Sequence, residues 1–281
     1  MLKVDKKSDT KNIISKWKSE GAKIGFVPTM GALHNGHISL VKKALAECDK
    51  VIVSVFVNPT QFNDKNDLTN YPRTLEKDLA LLENYGCNLV FAPSVEEMYP
   101  EPDTRVFNFA PLDAPMEGAH RPGHFNGVGQ VVSRLFDIVD PHAAYFGEKD
   151  FQQLAIIKKL VRDYNYNITI VPCSIVREED GLAMSSRNML LTKEQRLLAP
   201  KISQTLYAAV EKSSCLSIEE VKQFVVNQLN AISGFEVVYF EIVNDIDLQS
   251  VKDWSEPSTK FGCVAVKVGS IRLIDNIRFN K

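Results

Sequence analysis

The sequence predicts an α/β fold built on a parallel sheet, and three observations support this prediction. Short apolar, β-branched runs without strict alternation recur, such as residues 51–57, and such runs are typical of strands buried on both faces. Amphipathic stretches with helical spacing, such as residues 38–47, lie between these runs. A strand, a helix and a second strand fit within about 35 residues, the length of a βαβ unit. The fold is therefore expected to be Rossmann-like.

The length of the chain and a change in the order of its predicted helices and strands indicate two domains. The chain has 281 residues, enough for one large or two ordinary domains. After about residue 190 the candidate chemical groups become sparse, and helices are followed by strands rather than alternating with them. We place the boundary near residue 176. The prediction is a Rossmann-like domain over residues 1–176 and a smaller α+β domain over residues 177–281.

Each element of the first predicted domain has its own signal in the sequence. Apolar runs stopped by proline, glycine or asparagine mark strands, and apolar residues three or four apart mark helices. Asp9 is the candidate N-cap of the first helix, and Pro28 ends the first strand. The predicted elements are helix 9–20, strand 24–27, helix 38–47, strand 50–57, helix 74–85, strand 88–91, helix 128–139, strand 143–146, helix 151–164 and strand 168–171.

Two loops and the C-terminal elements complete the prediction. Residues 63–73 are polar and are expected to form a surface loop. Residues 93–127 are rich in proline and glycine, and a long irregular segment in a compact domain is usually functional or mobile. The C-terminal domain is expected to contain helices 193–212 and 217–231 and strands 237–243, 262–268 and 271–274.

Composition excludes several classes of protein. The formal net charge of −2 gives no bulk attraction to nucleic acid or to an anionic membrane surface. No run approaches the roughly 18 apolar residues of a membrane span, and the first residues lack the apolar core of a signal peptide. The five cysteines are scattered and form no CxxC pair, so we expect reduced thiols in a cytoplasmic protein and no structural zinc site.

The turn over residues 28–37 is the strongest candidate for a functional site. It joins the first predicted strand to an amphipathic helix, and a helix N-terminus attracts anions such as phosphate. Gly36 allows a ligand to approach the backbone closely, and His34 and His37 can both donate hydrogen bonds to phosphate oxygens. A tight turn with two surface histidines is the alternative. The position of His-x-Gly-His between strand and helix favours a function.

Three further polar clusters, at residues 58–61, 147–153 and 176–187, fall at predicted strand ends or helix starts. Because parallel strands end at one edge of a sheet, we expect them to converge with the first cluster. Lys149 lies one turn before a helix, which suits a phosphate, and Arg187 follows two serines on a flexible loop. Taken alone, each cluster is also compatible with an ordinary turn or a solvated run of charges.

The chemistry of these clusters favours transfer of a nucleotidyl group. No cysteine or serine has the surroundings of a covalent nucleophile, and no paired carboxylate stands out. A Walker A sequence is absent, and residues 127–129 lack the third glycine and the preceding strand of a dinucleotide motif. Histidines, one lysine, one arginine and several amides instead suit a reaction that depends on positioning and on neutralising phosphate charge.

The motifs allow a family to be named. His34-Asn35-Gly36-His37 resembles the His-x-Gly-His signature of the nucleotidyltransferase superfamily that includes class I aminoacyl-tRNA synthetases. Residues 184–187, Met-Ser-Ser-Arg, resemble its second signature loop, but they end in Ser-Arg, which argues against a tRNA-charging enzyme. Longer strings resemble the pantoate–β-alanine ligase family in order and over nearly the whole chain, namely residues 28–34, 58–62, 71–74, 146–153, 180–188 and 272–276.

This resemblance implies an AMP-forming carbon–nitrogen ligase of pantothenate biosynthesis, on the way to coenzyme A. The implied substrates are ATP, (R)-pantoate and β-alanine, and the implied intermediate is pantoyl adenylate, formed with release of pyrophosphate. Mg²⁺ is expected with the ATP phosphates. The family is typically a homodimer, and its smaller domain is expected to close over the site. Neither nucleic acid nor a membrane is an expected partner.

The resemblance also assigns residues. It implies an ATP site of Met30, Gly31, Ala32, Leu33, His34, Asn35, Gly36, His37, Gly147, Glu148, Lys149, Asp150, Val176, Met184, Ser185, Ser186 and Arg187. Gln61 corresponds to a contact with pantoate and β-alanine, and Gln153 to a second pantoate contact. Asn58 is a candidate substrate contact, and Asp78 is a candidate carboxylate ligand of Mg²⁺.

The catalytic role is expected to be shared. His37 corresponds to the proton donor of the family, and we widen that role to charge stabilisation by His34, His37, Lys149 and Arg187 together. Two alternatives remain: a nucleotide-binding protein that has lost turnover, and a cytidylyl- or adenylyltransferase with the same histidine motif. The ligase is favoured over the first by the intact His34, His37, Lys149, Ser185, Ser186, Arg187, Gln61 and Gln153, and over the second by the presence of both Gln61 and Gln153.

Overall fold

The computed structural model of the chain describes residues 1–280. Its strands are β1 (Leu2–Val4), β2 (Ile24–Thr29), β3 (Lys50–Val55), β4 (Leu89–Phe91), β5 (Ala143–Gly147), β6 (Thr169–Cys173), β7 (Phe235–Asn244), β8 (Lys260–Val268) and β9 (Ile271–Phe279). Its α-helices are α1 (Lys7–Ser19), α2 (Asn35–Glu47), α3 (Lys65–Asn70), α4 (Leu75–Asn84), α5 (Val95–Met98), α6 (Glu117–His120), α7 (His124–Val139), α8 (Phe151–Asp163), α9 (Lys193–Leu198), α10 (Lys201–Lys212) and α11 (Ile218–Asn230).

Six strands form one parallel sheet in the order β1-β4-β3-β2-β5-β6. The longest register runs from Ile24 opposite Lys50 to Thr29 opposite Val55. The β-branched residues 51–53 are fully buried, as expected for a strand covered on both faces. Three strands, β7-β8-β9, form a separate antiparallel sheet. The predicted fold class, a Rossmann-like parallel sheet with a smaller α+β part, is confirmed.

The proline that was expected to end the first strand lies inside it. Strand β2 continues through Pro28 to Thr29, both paired with β3. On its other side β2 pairs with β5 only at Gly25 and Phe26. Pro28 therefore lies beyond the β2–β5 pairing, where its missing N–H removes no ladder hydrogen bond.

Several other boundaries differ from the predicted ones. The expected loop over residues 63–73 contains α3, which begins where Asp64 accepts the N–H of Asn66 at 2.7 Å. The expected helix over residues 193–212 is two helices, α9 and α10, with Pro200 as the N-cap of the second. Helix α1 begins two residues earlier than expected, so Asp9 lies in its first turn rather than at its N-cap.

The chain divides into two compact units. The first comprises residues 1–109, 121–148 and 153–174, and the second comprises residues 110–120, 149–152 and 175–281. In the first unit the α2 side chains Ile38 and Val41 pack with the buried strand residues Val51 and Val53. In the second, helices α10 and α11 pack on the antiparallel sheet through Leu206, Val225 and Val266, among others. The domain boundary near residue 176 stays a prediction.

The structure shows the state of the cysteines and the lengths of the apolar helices. All five cysteines, Cys48, Cys87, Cys173, Cys215 and Cys263, are free thiols. Within residues 1–280, no helix is long and apolar enough to cross a membrane.

Candidate active site

The turn between β2 and α2 is built from residues in special backbone conformations. Gly31 and Ala32 both have positive φ, 80° and 50°. A methyl group on Gly31 would lie 3.0 Å from the Val55 side chain, so glycine is favoured there by space as well as by conformation. The turn delivers the chain to His34, which is the N-cap of α2. The strand–turn–helix unit predicted for the strongest candidate motif is therefore present.

The two histidines of the motif form a reciprocal cap on α2. His34 Nδ1 accepts the N–H of Gly36 at 3.1 Å, and His37 Nδ1 accepts the N–H of His34 at 3.3 Å. Their ring centroids lie 4.1 Å apart. Because both Nδ1 atoms accept hydrogen bonds, each neutral ring carries its proton on Nε2. Both rings are therefore hydrogen-bond donors through Nε2–H at the N-terminus of a helix, where negative charge is favoured.

Asp78, the candidate magnesium ligand, holds this turn from α4. Its side chain is 2% exposed, and its two oxygens accept the N–H groups of Ala32 and Leu33, each at 2.9 Å. The Thr74 hydroxyl also donates to it at 3.2 Å. Both carboxylate oxygens are thus directed at N–H and O–H donors of the protein, an arrangement that does not fit a metal ligand. Within residues 1–280, no group of three His, Cys, Asp or Glu side chains could hold a metal ion.

Gln61 ends a short 3₁₀ turn after β3, and its amide is oriented by Asn58. Asn58 is 1% exposed; its Nδ2 donates to the Gly127 carbonyl at 3.2 Å, and its Oδ1 accepts the N–H of Thr60 at 3.4 Å. Since a carbonyl only accepts and an N–H only donates, Asn58 has one orientation. Its Nδ2 also donates to Gln61 Oε1 at 3.3 Å. The NH₂ group of Gln61 is consequently the end directed at Met30, where it donates to Sδ at 3.0 Å.

Helix α7 and the residues just before it fix the backbone of the same turn. The Gln61 carbonyl lies 3.1 Å from the Arg121 guanidinium, which donates to it, and 2.9 Å from His124 Nδ1. A methyl group on Gly127 would lie 2.4 Å from the Thr60 carbonyl oxygen and 2.9 Å from the Gln61 Cα. Glycine therefore allows α7 to pack directly against the 3₁₀ turn.

Tyr99 completes the orientation of Asn58. Its hydroxyl donates to Asn58 Oδ1 at 2.9 Å, and the Arg134 guanidinium lies over its ring, 5.0 Å from the centroid. Burial raises the pKa of Tyr99 above its usual value, so the hydroxyl keeps its proton and remains a donor near neutral pH. A chain of hydrogen bonds thus runs from Tyr99 through Asn58 to Gln61.

The second unit holds the Met-Ser-Ser-Arg loop. Met184 donates its N–H to the Val176 carbonyl at 3.0 Å, and Ser185 Oγ accepts the N–H of Arg187 at 3.3 Å. Ser185 is the N-cap of a 3₁₀ turn over Ser186–Leu190. The loop therefore has a defined shape, with Ser186 buried and Arg187 half-buried.

The base of this loop is an ion pair. The guanidinium of Arg177 contacts both oxygens of Asp275, at 2.7 and 3.0 Å, and also donates to the Gly181 carbonyl at 3.1 Å. Asp275 is nearly fully buried. A bidentate pair of this kind fixes the geometry of both side chains as well as adding energy. The pair holds β9 to the strand-like segment that leads into Met184.

Lys149 is positioned through its backbone. Its carbonyl accepts a hydrogen bond from Asn276 Nδ2 at 3.0 Å, within the second unit. In that unit Gln152 is buried and its amide is used inside the protein: it accepts the N–H of Glu117 and donates to the carbonyls of Leu112 and Pro115. Gln153, which belongs to the first unit, is half-buried.

Most of the residues named from the sequence take part in these arrangements. The structure brings together His34 with His37, Met30 and Asn58 with Gln61, Asp78 with Ala32 and Leu33, and Val176 with Met184. Gly147 ends β5, and Glu148–Asp150 follow as a 3₁₀ turn. Asn35 begins α2.

Four residues with a part in orienting Gln61 received no role from the sequence: Tyr99, Arg121, His124 and Gly127. Arg121 and His124 lie in the proline- and glycine-rich segment over residues 93–127, which was expected to be functional or mobile. That expectation did not indicate which residues the segment contacts. Tyr99 lies in the same segment, and nothing in its local sequence indicates a partner 41 residues away.

Comparison with known proteins gives a consistent result. The family model described as pantoate-beta-alanine ligase matches residues 3–278. A pantothenate synthetase of Bacteroides fragilis is 57% identical over 268 residues, which cover 95% of each chain. One of Phocaeicola vulgatus is 58% identical over 263 residues, which cover 93% of each chain.

Solved structures agree with the sequence relatives. The crystal structure of pantothenate synthetase from Thermus thermophilus matches with a TM-score of 0.92 and 44% identity, covering 99% of both chains. A pantoate-beta-alanine ligase from Francisella tularensis, complexed with a form of ATP and with β-alanine, matches with a TM-score of 0.83 and 37% identity. That match covers 99% of this chain and 97% of the other.

Proposed function

The chain belongs to the pantoate–β-alanine ligase family, and from this premise we propose how its residues carry out the ligation of pantoate to β-alanine with ATP. The observation that supports the proposal most directly is the fixed amide of Gln61, whose NH₂ group is directed at Met30. A donor held in one orientation selects a ligand that offers an oxygen acceptor. The hydroxyl and carboxylate oxygens of pantoate are acceptors of this kind.

In the first step, a carboxylate oxygen of pantoate attacks the α-phosphorus of ATP, and the bond from that phosphorus to the pyrophosphate oxygen breaks. The products are pantoyl adenylate and pyrophosphate. Negative charge rises on the pyrophosphate and on the α-phosphate oxygens during this step. We assign its stabilisation to His34 and His37 through their Nε2–H groups, together with Lys149 and Arg187.

In the second step, the amine of β-alanine attacks the acyl carbon of pantoyl adenylate. The carbon–nitrogen bond forms, the bond from the acyl carbon to the phosphate oxygen breaks, and AMP leaves as the nitrogen loses a proton. Gln61 is proposed to contact pantoate and β-alanine, and Gln153 to contact pantoate. Asn58 is proposed to act by orienting Gln61, since both ends of its own amide bond to protein groups.

We propose that ATP is contacted by four groups of residues: Met30 to His37, Gly147 to Asp150, Val176, and Met184 to Arg187. Support comes from the capped N-terminus of α2, where a phosphate is favoured, and from the ordered Met-Ser-Ser-Arg loop with its serine hydroxyls and guanidinium. Mg²⁺ is proposed to bind together with the ATP phosphates.

We also propose that the protein acts as a cytoplasmic homodimer, following the family resemblance and the five free thiols. Sedimentation of the purified protein tests the dimer. A nucleotide-binding protein without turnover is the alternative of a different class. The presence of both histidines, Lys149 and Arg187 favours the enzyme, and pyrophosphate release separates the two.

Replacing Gln61 with alanine should raise the Michaelis constant for pantoate roughly tenfold or more, the scale of one hydrogen bond to a charged group. The constant for ATP should change much less, because the lost donor does not act on the nucleotide. Steady-state kinetics with each substrate varied in turn measures both constants.

Gln130→Ala is the matched control for this experiment. Gln130 is also a buried glutamine of the first unit, but its amide donates to the backbone carbonyls of Asp103 and Arg105. This variant should lose stability without a change in the pantoate constant. An unchanged pantoate constant in Gln61→Ala would remove Gln61 from the substrate site.

A further inference from the structure

The turn between β2 and α2 binds a carboxylate of the protein itself, that of Asp78. Consecutive N–H groups in a turn with left-handed residues form a concave site that binds negative charge. Here Gly31 and Ala32 are left-handed, and the N–H groups of Ala32 and Leu33 point at the Asp78 carboxylate. The fit is close, since a methyl group on Gly31 would lie 3.1 Å from Asp78 Oδ2.

The carboxylate is itself held in place. Asp78 lies in the first turn of α4, where negative charge is favoured by the helix dipole, and it is buried. The Thr74 hydroxyl, at the N-cap position of the same helix, donates to Oδ1. Gly31 donates its own N–H to Thr29 Oγ1 at 3.2 Å. Asp78 is thus held by its own helix and by the turn that it contacts.

Leu33, one of the two residues bonded to Asp78, directly precedes His34. The alanine at position 32 has φ of 50°, a conformation that disfavours residues with a Cβ and that relaxes unless neighbouring contacts hold it. Since His34 and His37 cap each other, a shift at Leu33 would move both rings. The position of the two proposed phosphate donors thus depends on the Asp78 carboxylate.

We propose that Asp78 is a positioning residue: it occupies the anion-binding turn in place of a phosphate and sets the location of His34 and His37. This inference rests on the proposed function of the two histidines. It assigns Asp78 a task other than metal binding. It also implies that the N–H groups of Ala32 and Leu33 are bonded to the protein both before and after ATP binds.

Asp78→Asn tests this role, because an amide keeps the size of the side chain but turns a donor toward one of the two N–H groups. With Mg²⁺ and β-alanine in excess, kcat for pyrophosphate release should fall roughly tenfold. The Mg²⁺ concentration for half-maximal rate and the pantoate Michaelis constant should not change. A purely structural role would lower Tm and leave kcat per folded molecule unchanged, which would overturn the proposal. Recovery of kcat at high Mg²⁺ would assign Asp78 to the metal and would overturn it as well.

Asp49→Asn is the matched control. Asp49 also accepts a backbone N–H in the first unit, from Lys23 at 2.8 Å, but it precedes β3, at the opposite end of that strand from the Asn58–Gln61 turn. This variant should keep the unmodified enzyme's kcat. Equal losses of kcat in both variants would overturn the proposal, since the effect would not be specific to the β2–α2 turn.

Amide hydrogen exchange on the unmodified enzyme gives a second test, which does not depend on activity or on the folding of a variant. The N–H groups of Ala32 and Leu33 should exchange slowly in the ligand-free protein and remain protected when ATP is added. Exchange as fast as in an exposed loop, or protection that appears only with ATP, would overturn the proposal. If the enzyme released no pyrophosphate at all, the proposed function would fail while this exchange result would still stand.

Discussion

Replacing His37 with alanine is expected to slow pantoate-dependent pyrophosphate release roughly 100-fold or more, the scale for loss of one transition-state donor. The Nε2–H of His37 is proposed to meet charge that develops only as the phosphorus–oxygen bond breaks. The loss should therefore appear in the adenylation rate rather than in the affinity for either acid. Single-turnover measurement of pyrophosphate release from ATP gives that rate directly.

Two further variants separate chemistry from helix capping. His37→Asn keeps an acceptor near the position of Nδ1, which bonds the N–H of His34, but lacks Nε2–H, so most of the rate loss should remain. His142→Ala removes a histidine whose Nδ1 accepts the N–H of Ile24 at 2.8 Å, and it should cost stability without slowing adenylation. A loss in His37→Ala that was confined to β-alanine affinity would contradict the proposed role.

Gly127→Ala should lower kcat/KM for pantoate roughly 100-fold, the effect that a misplacement of about 1 Å can have on a bound reactant. The added methyl group would lie 2.4 Å from the Thr60 carbonyl oxygen and 2.9 Å from the Gln61 Cα. Both of these are backbone atoms, so neither can swing aside. Relief requires α7 and the 3₁₀ turn to separate, which moves the Gln61 amide.

Gly129→Ala is the control on the same helix. Its methyl group would also be crowded, at 2.9 Å, but against the rings of Phe107 and Phe109 rather than the substrate turn. Overpacking of this kind typically costs about 1–3 kcal/mol of stability. Thermal unfolding should therefore show a lower Tm for both variants, while kcat/KM for pantoate should fall only for Gly127→Ala. A similar fall in both would mean that α7 as a whole, rather than its contact at Gly127, controls pantoate binding.

The parts of the fold that were predicted from the sequence are those with strong local signals. The run over residues 51–53 is β-branched and fully buried, so its pattern matched its surroundings. The turn before α2 was predicted because glycine and histidine occur where a strand pattern gives way to a helix pattern. Both signals lie within a few residues and need no knowledge of distant contacts.

Helix and strand boundaries were harder to predict where the local sequence is compatible with more than one structure. Helix α3 is a short helix in a polar stretch. Its N-cap residue, Asp64, is of a type that is equally common in loops, so the sequence did not distinguish the helix from a loop. The break between α9 and α10 falls at Pro200, which can also begin a helix in its first turn. Pro28 was expected to end β2, and only the extent of the β2–β5 pairing makes it tolerable inside the strand.

The residues of the candidate site were named from local motifs in the sequence, but the contacts between residues far apart in the chain were not predicted. Asp78 was named as a candidate ligand because Mg²⁺ commonly binds through phosphates and one or two carboxylates. Its two backbone partners, Ala32 and Leu33, lie about 45 residues earlier in the chain. Tyr99 likewise reaches Asn58 across 41 residues. Which donor meets which acceptor at such separations is decided by the packing of the sheet and helices, which local patterns do not encode.

Release of pyrophosphate from ATP in the presence of pantoate, with β-alanine left out, is the decisive test of the two-step route. We expect a burst of one pyrophosphate per active site, followed by steady turnover when β-alanine is added. This result would establish the adenylate route and the substrate pair together. Absence of a burst while ATP still binds would contradict the two-step route, and absence of turnover after β-alanine is added would contradict the ligase itself.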